Sequence, residues 1–224
     1  MNKHLHPLLF AFLLLGTPLH AASLHAELVD DQGQPLANAV LSLHSAVAPV
    51  PAPATAVMDQ RSQQFAPTVL AVRSGTSVAF PNSDNIRHHV YSFSPAKRFE
   101  LRLYQGTPSE PVFFDKPGVV VLGCNIHDWM VGYVYVTDDP WFAVSDEQGR
   151  LSLEQLPAGT YTVSLWHPQT PDMLPQAAGQ LQLTEAGNQQ RFTLAMQAPA
   201  SQAAPSAPAS AFGDAFKKAR DAAQ

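Results

Sequence analysis

The chain has a single cysteine, Cys124, among its 224 residues. An internal disulfide is therefore closed to it, as are a multi-cysteine zinc site and a two-cysteine dinuclear copper site. Charge is sparse as well: 14% of residues are charged, with 13 basic against 18 acidic side chains and a net charge of −5. That balance supplies no polybasic patch for phosphates, so nucleic acid is not an expected partner. Long apolar runs are also lacking. The stretch Leu8 to Leu15 falls well short of the roughly 20 residues a membrane-crossing helix needs. With Lys3 before it and Gly16, Pro18 and the small residues Ala21 and Ala22 after it, it predicts a cleavable signal peptide over 1–21. The expected product is periplasmic or secreted, with no membrane span after cleavage.

Amphipathic helical periodicity is missing from the body of the chain, which instead holds many short β-branched and aromatic runs separated by Gly, Pro, Asn and Asp. Runs such as 68–72, 77–80, 90–93, 99–104, 119–122 and 132–136 predict an all-β protein built as a sandwich. A Pro/Ala stretch over 47–56 reads as a boundary, and the Ala/Pro/Ser tract that opens 197–224 reads as a linker followed by a short tail. In that tail Phe212, Phe216 and Ala219 share one helical face, but a frayed end is expected.

Two segments share turn chemistry. The run DDQGQPL from Asp30 is matched by SDEQGR from Ser145, which is followed by LPAGTY from Leu156. These Asp-x-x-Gly and Leu-Pro-x-Gly-x-Tyr turns resemble those of the carboxypeptidase-regulatory, or transthyretin-like, module. The resemblance implies a small β-sandwich made of 24–45 plus 140–196, interrupted by another unit over 58–138, and serving stability or adhesion rather than catalysis.

The interrupting unit carries the chemistry. Cys124, His127 and Met130 lie in GCNIHDWMVGYVYV between two apolar runs. A tight loop between strands can aim a thiolate, an imidazole and a thioether at one point, and these are ligand types of a mononuclear blue-copper centre once a second His is added. That His is available in PNSDNIRHHVYSF, where neighbouring strand residues point to opposite faces, so only one of His88 and His89 reaches an inward site.

Taken together, these motifs closely resemble the cupredoxins, the blue copper family of plastocyanin and amicyanin, whose amicyanin-type members share the C-x2-H-x2-M loop. In that family an Asn lies six residues before the first ligand His, as Asn82 does before His88. The resemblance implies a Greek-key β-sandwich and one type 1 copper centre with His88, Cys124, His127 and Met130 as ligands. It also makes Asn82 the residue tying the two ligand loops together. His89 stands where the family has Asn, which makes His89 the alternative ligand. A cupredoxin block beside regulatory-like strands is similar to bacterial proteins labelled methylamine utilisation proteins. The resemblance implies a transient redox partner, such as a c-type cytochrome or an amine dehydrogenase, and single-electron transfer rather than enzymatic catalysis. A copper carrier or a structural, adhesive module is the alternative.

The remaining candidates are weaker. Beyond the leader no His-x-His pair occurs, and no Gly-rich phosphate loop, nucleophile elbow or His-Glu-x-x-His motif is found. His25 and His44 have no ligand spacing, His167 reads as a satisfied histidine, and Asp128 as a solvated carboxylate. Trp129 and Tyr133 fit either the core or the edge of the site. Arg87, Lys97, Arg98 and Arg102 are a candidate docking rim for an acidic partner.

Overall fold

The computed structural model describes residues 21–46, 54–108, 110–185, 187–196 and 211–222. All but the last residue of the expected leader over 1–21, most of the Pro/Ala boundary and the Ala/Pro/Ser tract lie outside them. The chain begins with strands β1 (Ala22–Val29) and β2 (Val40–His44). Ten strands follow: β3 (Thr55–Val57), β4 (Asp59–Arg61), β5 (Gln64–Ala66), β6 (Val69–Arg73), β7 (Thr76–Ala79), β8 (His88–Ser92), β9 (Phe99–Tyr104), β10 (Val112–Phe114), β11 (Gly118–Cys124) and β12 (His127–Thr137). It continues with β13 (Trp141–Val144), β14 (Arg150–Leu156), β15 (Gly159–Trp166), β16 (Gln176–Leu183) and β17 (Asn188–Thr193), and the described part ends in helix α1 (Ala211–Asp221).

These strands form an all-β sandwich architecture with two main cores. The first lies between the sheets β14-β1-β17 and β13-β2-β15-β16. It is filled by residues such as Leu24, Leu28, Leu41, Leu43, Tyr161 and Leu183, which the period-2 alternation of their strands turns inward. Two turns of the same design close it. The Asp30 carboxylate accepts the N–H groups of Gln32 and Gln34, and the Asp146 carboxylate accepts those of Gln148 and Arg150, all at 2.8–2.9 Å. Each turn then needs a left-handed residue, supplied by Gly33 (φ +77°) and Gly149 (φ +73°). At Gly149 a Cβ would also lie 2.5 Å from the Leu28 carbonyl oxygen, so the site admits no side chain. In the LPAGTY segment the Tyr161 hydroxyl donates to the Pro157 carbonyl at 2.6 Å.

The second core lies between the sheets β10-β7-β3 and β6-β12-β11-β8-β9. It contains Phe65, Phe80, Val90, Phe114, Leu122 and Val134. Strand β3 begins inside the stretch read as a boundary, and the β4–β5 hairpin has no counterpart in the strands read from the sequence. All three of these strands have three residues, too few to show a period of their own.

A third apolar cluster joins the two halves. The outer face of the five-stranded sheet (Val69, Val121, Tyr135) meets Val40 of β2 and a fully buried Trp166 at the end of β15. The Trp166 ring lies 5.3 Å from Tyr135 and 5.9 Å from Tyr133, and its Nε1–H donates to the Met173 carbonyl at 3.0 Å. Aromatic pairs of this kind add about 0.5–1.5 kcal/mol each beyond their buried area. Tyr133 thus belongs to this junction rather than to the metal end of the sheet. Helix α1 covers the same cluster with Ala215 and Ala219, and Phe216 meets the Phe93 ring edge-on at 5.6 Å. The expected frayed tail is a packed helix, because its small apolar face fits the sheet surface left beside Trp166.

Candidate metal centre

Two strand pairings bring the candidate ligands together. In the five-stranded sheet β11 lies between β12 and β8 and runs antiparallel to both. The end of β11 therefore lies beside the beginning of β8 and opens the hairpin into β12. Alternation along β11 sends Val120, Leu122 and Cys124 into the second core while Val119 and Val121 face the junction. Along β8 the same alternation buries His88, Val90 and Ser92 and turns His89 and Tyr91 to the other face. On β12 it buries Met130, placing the thioether in the same core as Cys124.

The Cys124 Sγ lies 3.9 Å from His88 Nδ1 and 3.7 Å from His127 Nδ1. The two imidazoles meet edge-on with centroids 5.0 Å apart. The three donor atoms all lie within 4.8 Å of one another, and this is the metal-capable group of at least three His, Cys, Asp or Glu found among the described residues. Donor separations near 3.7–3.9 Å are what two groups share when both bind one ion at about 2.0–2.3 Å with a wide angle between them. The donor set is one soft sulfur and two borderline nitrogens, which suits copper and excludes hard cations such as magnesium or calcium.

The burial is graded. His88 has no exposed surface and Cys124 is 3% exposed, whereas His127 is half-buried. Burial, assisted by the neighbouring His88 ring, pushes the His127 pKa below its ordinary value, with Asp84 opposing. The ring is thus neutral at neutral pH and keeps a bare nitrogen for a metal. Its outer side is apolar: the Trp129 ring lies 5.3 Å away and is 62% exposed, and Ile126 is 48% exposed. Trp129 therefore lines the edge of the site and is not part of the core. Asp128 beside it is exposed.

His89 is not brought to the thiol. Its ring stacks toward Tyr91 at 5.4 Å and its Nε2 comes within 3.0 Å of a Glu100 carboxylate oxygen. Asn82 is buried, but its bonds differ from the expectation that it ties the two ligand loops. Its Nδ2–H groups donate to the carbonyls of Ile86 (2.8 Å) and Tyr104 (2.9 Å), and its Oδ1 accepts the Asp84 N–H at 3.0 Å. It braces the His88 loop against the end of β9, because that strand, rather than the Cys124–His127 turn, lies beside it. Of the four cations read as a docking rim, Lys97 pairs with Asp115 (3.2 Å) and Arg102 with Glu100 (3.4 Å), while Arg87 and Arg98 are exposed. His167 is satisfied on both nitrogens, by the Ala37 carbonyl and the Gln169 N–H.

The residue that sequence reading missed is Asp84, whose carboxylate lies 2.7 Å from His88 Nε2. The same carboxylate accepts the N–H groups of Ser62 (2.6 Å) and Gln63 (2.9 Å) at the tip of the β4–β5 hairpin. Burial opposes ionisation, but the bonds from Gln63, His88 and Ser62 outweigh it and hold the Asp84 carboxyl below its usual range. An Asp four residues before a strand His gives no periodic signal, so only the folded loop exposes the pairing.

No protein-family model matches the chain, and no curated protein matches it. Among solved structures it is similar to a purple cupredoxin from Nitrosopumilus maritimus, at 23% identity and a TM-score of 0.33, over 37% of this chain and 99% of that one. It is also similar to a reduced amicyanin variant, at 21% identity and a TM-score of 0.33, over 36% of this chain and 80% of that one. A third is the copper-containing nitrite reductase from Thermus scotoductus, at 27% identity and a TM-score of 0.34, over 50% of this chain and 28% of that one.

Proposed function

We propose that this protein is a periplasmic or secreted single-electron carrier built around one type 1 copper centre. In this reading His88, Cys124 and His127 would hold the ion and Met130, buried in the same core, would add a weak fourth donor. The observation that carries it is the buried thiol of the single cysteine with two imidazole nitrogens at 3.7 and 3.9 Å. Three such donors, prearranged by adjacent strands, leave little for the protein to reorganise between oxidation states. Copper bound there supplies a one-electron couple, and its bond to the thiolate gives the oxidised protein an intense visible colour.

The chain's own residues then divide the work. Cys124 and His88, deep in the second core, keep water out. His127, neutral and half-buried beside exposed Ile126 and Trp129, offers an apolar edge on which a redox partner docks transiently. A c-type cytochrome or an amine dehydrogenase is the partner class this reading favours. Strands β1, β2 and β13–β17, taken as a regulatory-like module, contribute none of the four ligands, and we assign that part of the chain to stability or attachment.

The test is the visible spectrum of the purified protein after one equivalent of Cu(II), followed by ascorbate. The expected outcome is an intense band that bleaches on reduction and returns in air, and that Cys124→Ser abolishes. Copper taken up without that band, or a band that survives in the Cys124→Ser variant, overturns the reading. Ready loss of copper to a chelator during redox cycling points instead to a copper carrier.

A further inference from the structure

The loop that delivers His88 is zipped to a hairpin that lies outside both sheets of the second core. At its start the Asp59 carboxylate accepts the Ser83 hydroxyl at 2.8 Å, and the Gln60 and Ser83 backbones exchange bonds with Pro81 and Gln60 at 3.0 Å each. At its tip Ser62 (φ +51°) and Gln63 (φ +58°) are both left-handed. Two successive left-handed residues turn their N–H groups to one side and make an anion-binding concavity, and Asp84 occupies it. The hairpin is itself pinned to β12 by Phe65, whose ring lies where a side chain at Gly132 would have to go, 2.8 Å from an added Cβ.

A carboxylate seated this way cannot swing away from His88. Its remaining contact is Nε2 of a fully buried imidazole whose other nitrogen faces Cys124 Sγ. We propose that Asp84, locked by the Ser62–Gln63 turn, is a positioning residue for the copper centre. It keeps the His88 proton on Nε2, leaves Nδ1 bare toward the thiolate, and biases the centre toward its oxidised ion. A negative charge hydrogen-bonded to a ligand imidazole raises that ligand's basicity, and partners of this kind typically change metal affinity about 10–100-fold. The higher charge of the oxidised ion makes it feel the carboxylate more strongly, so the couple shifts toward lower potential.

The inference rests on the copper reading, and the experiment separates the two. Wild type, Asp84→Asn, Asp84→Glu and Asp84→Ala are loaded with Cu(II), and their potentials are measured against mediators. Asp84→Asn keeps the size and the acceptor oxygen but not the charge. It is expected to keep the intense colour while the ratio of Cu(II) to Cu(I) affinity falls about tenfold, an upward shift of about 59 mV for a one-electron couple. Asp84→Glu returns the potential toward wild type, and Asp84→Ala releases Cu(II) faster than either. In parallel, long-range proton–nitrogen correlation spectra of the metal-free wild type at pH 8 should show His88 protonated on Nε2 alone, a readout that needs neither copper nor a variant. An Asp84→Asn potential equal to wild type, or His88 protonated on Nδ1, overturns the inference while leaving the copper reading in place. Absence of colour in wild type overturns the copper reading and this one with it.

Discussion

His88 has no exposed surface and is gripped on its far nitrogen by Asp84, whereas His127 is half-buried, with the exposed Trp129 ring 5.3 Å from it. Both present Nδ1 to one sulfur at nearly the same distance. The difference lies in what surrounds them. The His88 side is a polar network of Asp59, Ser83, Asn82 and Asp84 that fixes a loop, and the His127 side is an apolar rim. For the proposed function both are of use: one imidazole immobilised from behind, another reachable from in front. The wider molecule is divided in a similar way, since the strands around the first core close on themselves through their two Asp-x-x-Gly turns and leave the ligand end of the second core uncovered.

The sharpest way to break the comparison is to remove each imidazole in turn. In the Cu(II)-loaded protein, His127→Gly is expected to lose the visible band and regain it when imidazole is added, because the vacated space opens to solvent. His88→Gly is expected to lose the band with no recovery, because its space is enclosed and keeps the Asp84 carboxylate, without its imidazole partner, facing it. Recovery in both variants, or in neither, removes the asymmetry. His89→Ala, on the opposite face of β8, should retain the band throughout.

The next effect tests whether the hairpin behind His88 is a tightly packed support. Gly132→Ala drives a methyl group into the Phe65 ring, and overpacking of this kind costs about 1–3 kcal/mol. Denaturant unfolding of the metal-free variant measures it, and a cost near zero means the hairpin yields freely. Met130→Leu nearly conserves volume in a buried position and is expected to lower stability by less than about 1.5 kcal/mol. It should retain copper and shift the potential, as follows if the thioether is a weak donor. Smallest is Asp30→Ala, which removes two turn bonds at the solvent-facing end of the first core and should lower stability by about 1 kcal/mol without moving the visible band. A spectral change there would show that the two cores do not act independently.

Much of the candidate site was legible because it is local: Cys124 and His127 fall within one hairpin, and strand alternation alone forces His88 and His89 to opposite faces. The all-β character was equally legible, since period-2 runs and the Asp-x-x-Gly turns reflect steric and hydrogen-bonding needs met within a few residues. The β4–β5 hairpin was not, because strands of three residues are too short to show alternation. Helix α1 read as a frayed end for a related reason: a helix of this length is marginal alone, and the sheet face on which Ala215 and Ala219 pack belongs to strands far away in the chain.

The sequence by itself determined which atoms are available to a metal: one thiol, a hairpin that spaces it from an imidazole and a thioether, and a strand that offers one more imidazole. Only the tertiary structure decided which histidine meets the thiol, that Asn82 braces β9 rather than the opposing ligand loop, and that Asp84, held by a hairpin about twenty residues upstream of it, grips His88. The physical reason is the range of the interactions. Alternation and turn chemistry act between residues adjacent in sequence and leave a pattern in it. A carboxylate held by two backbone N–H groups depends on two left-handed residues and a loop folded against them, and the identities of the side chains record neither.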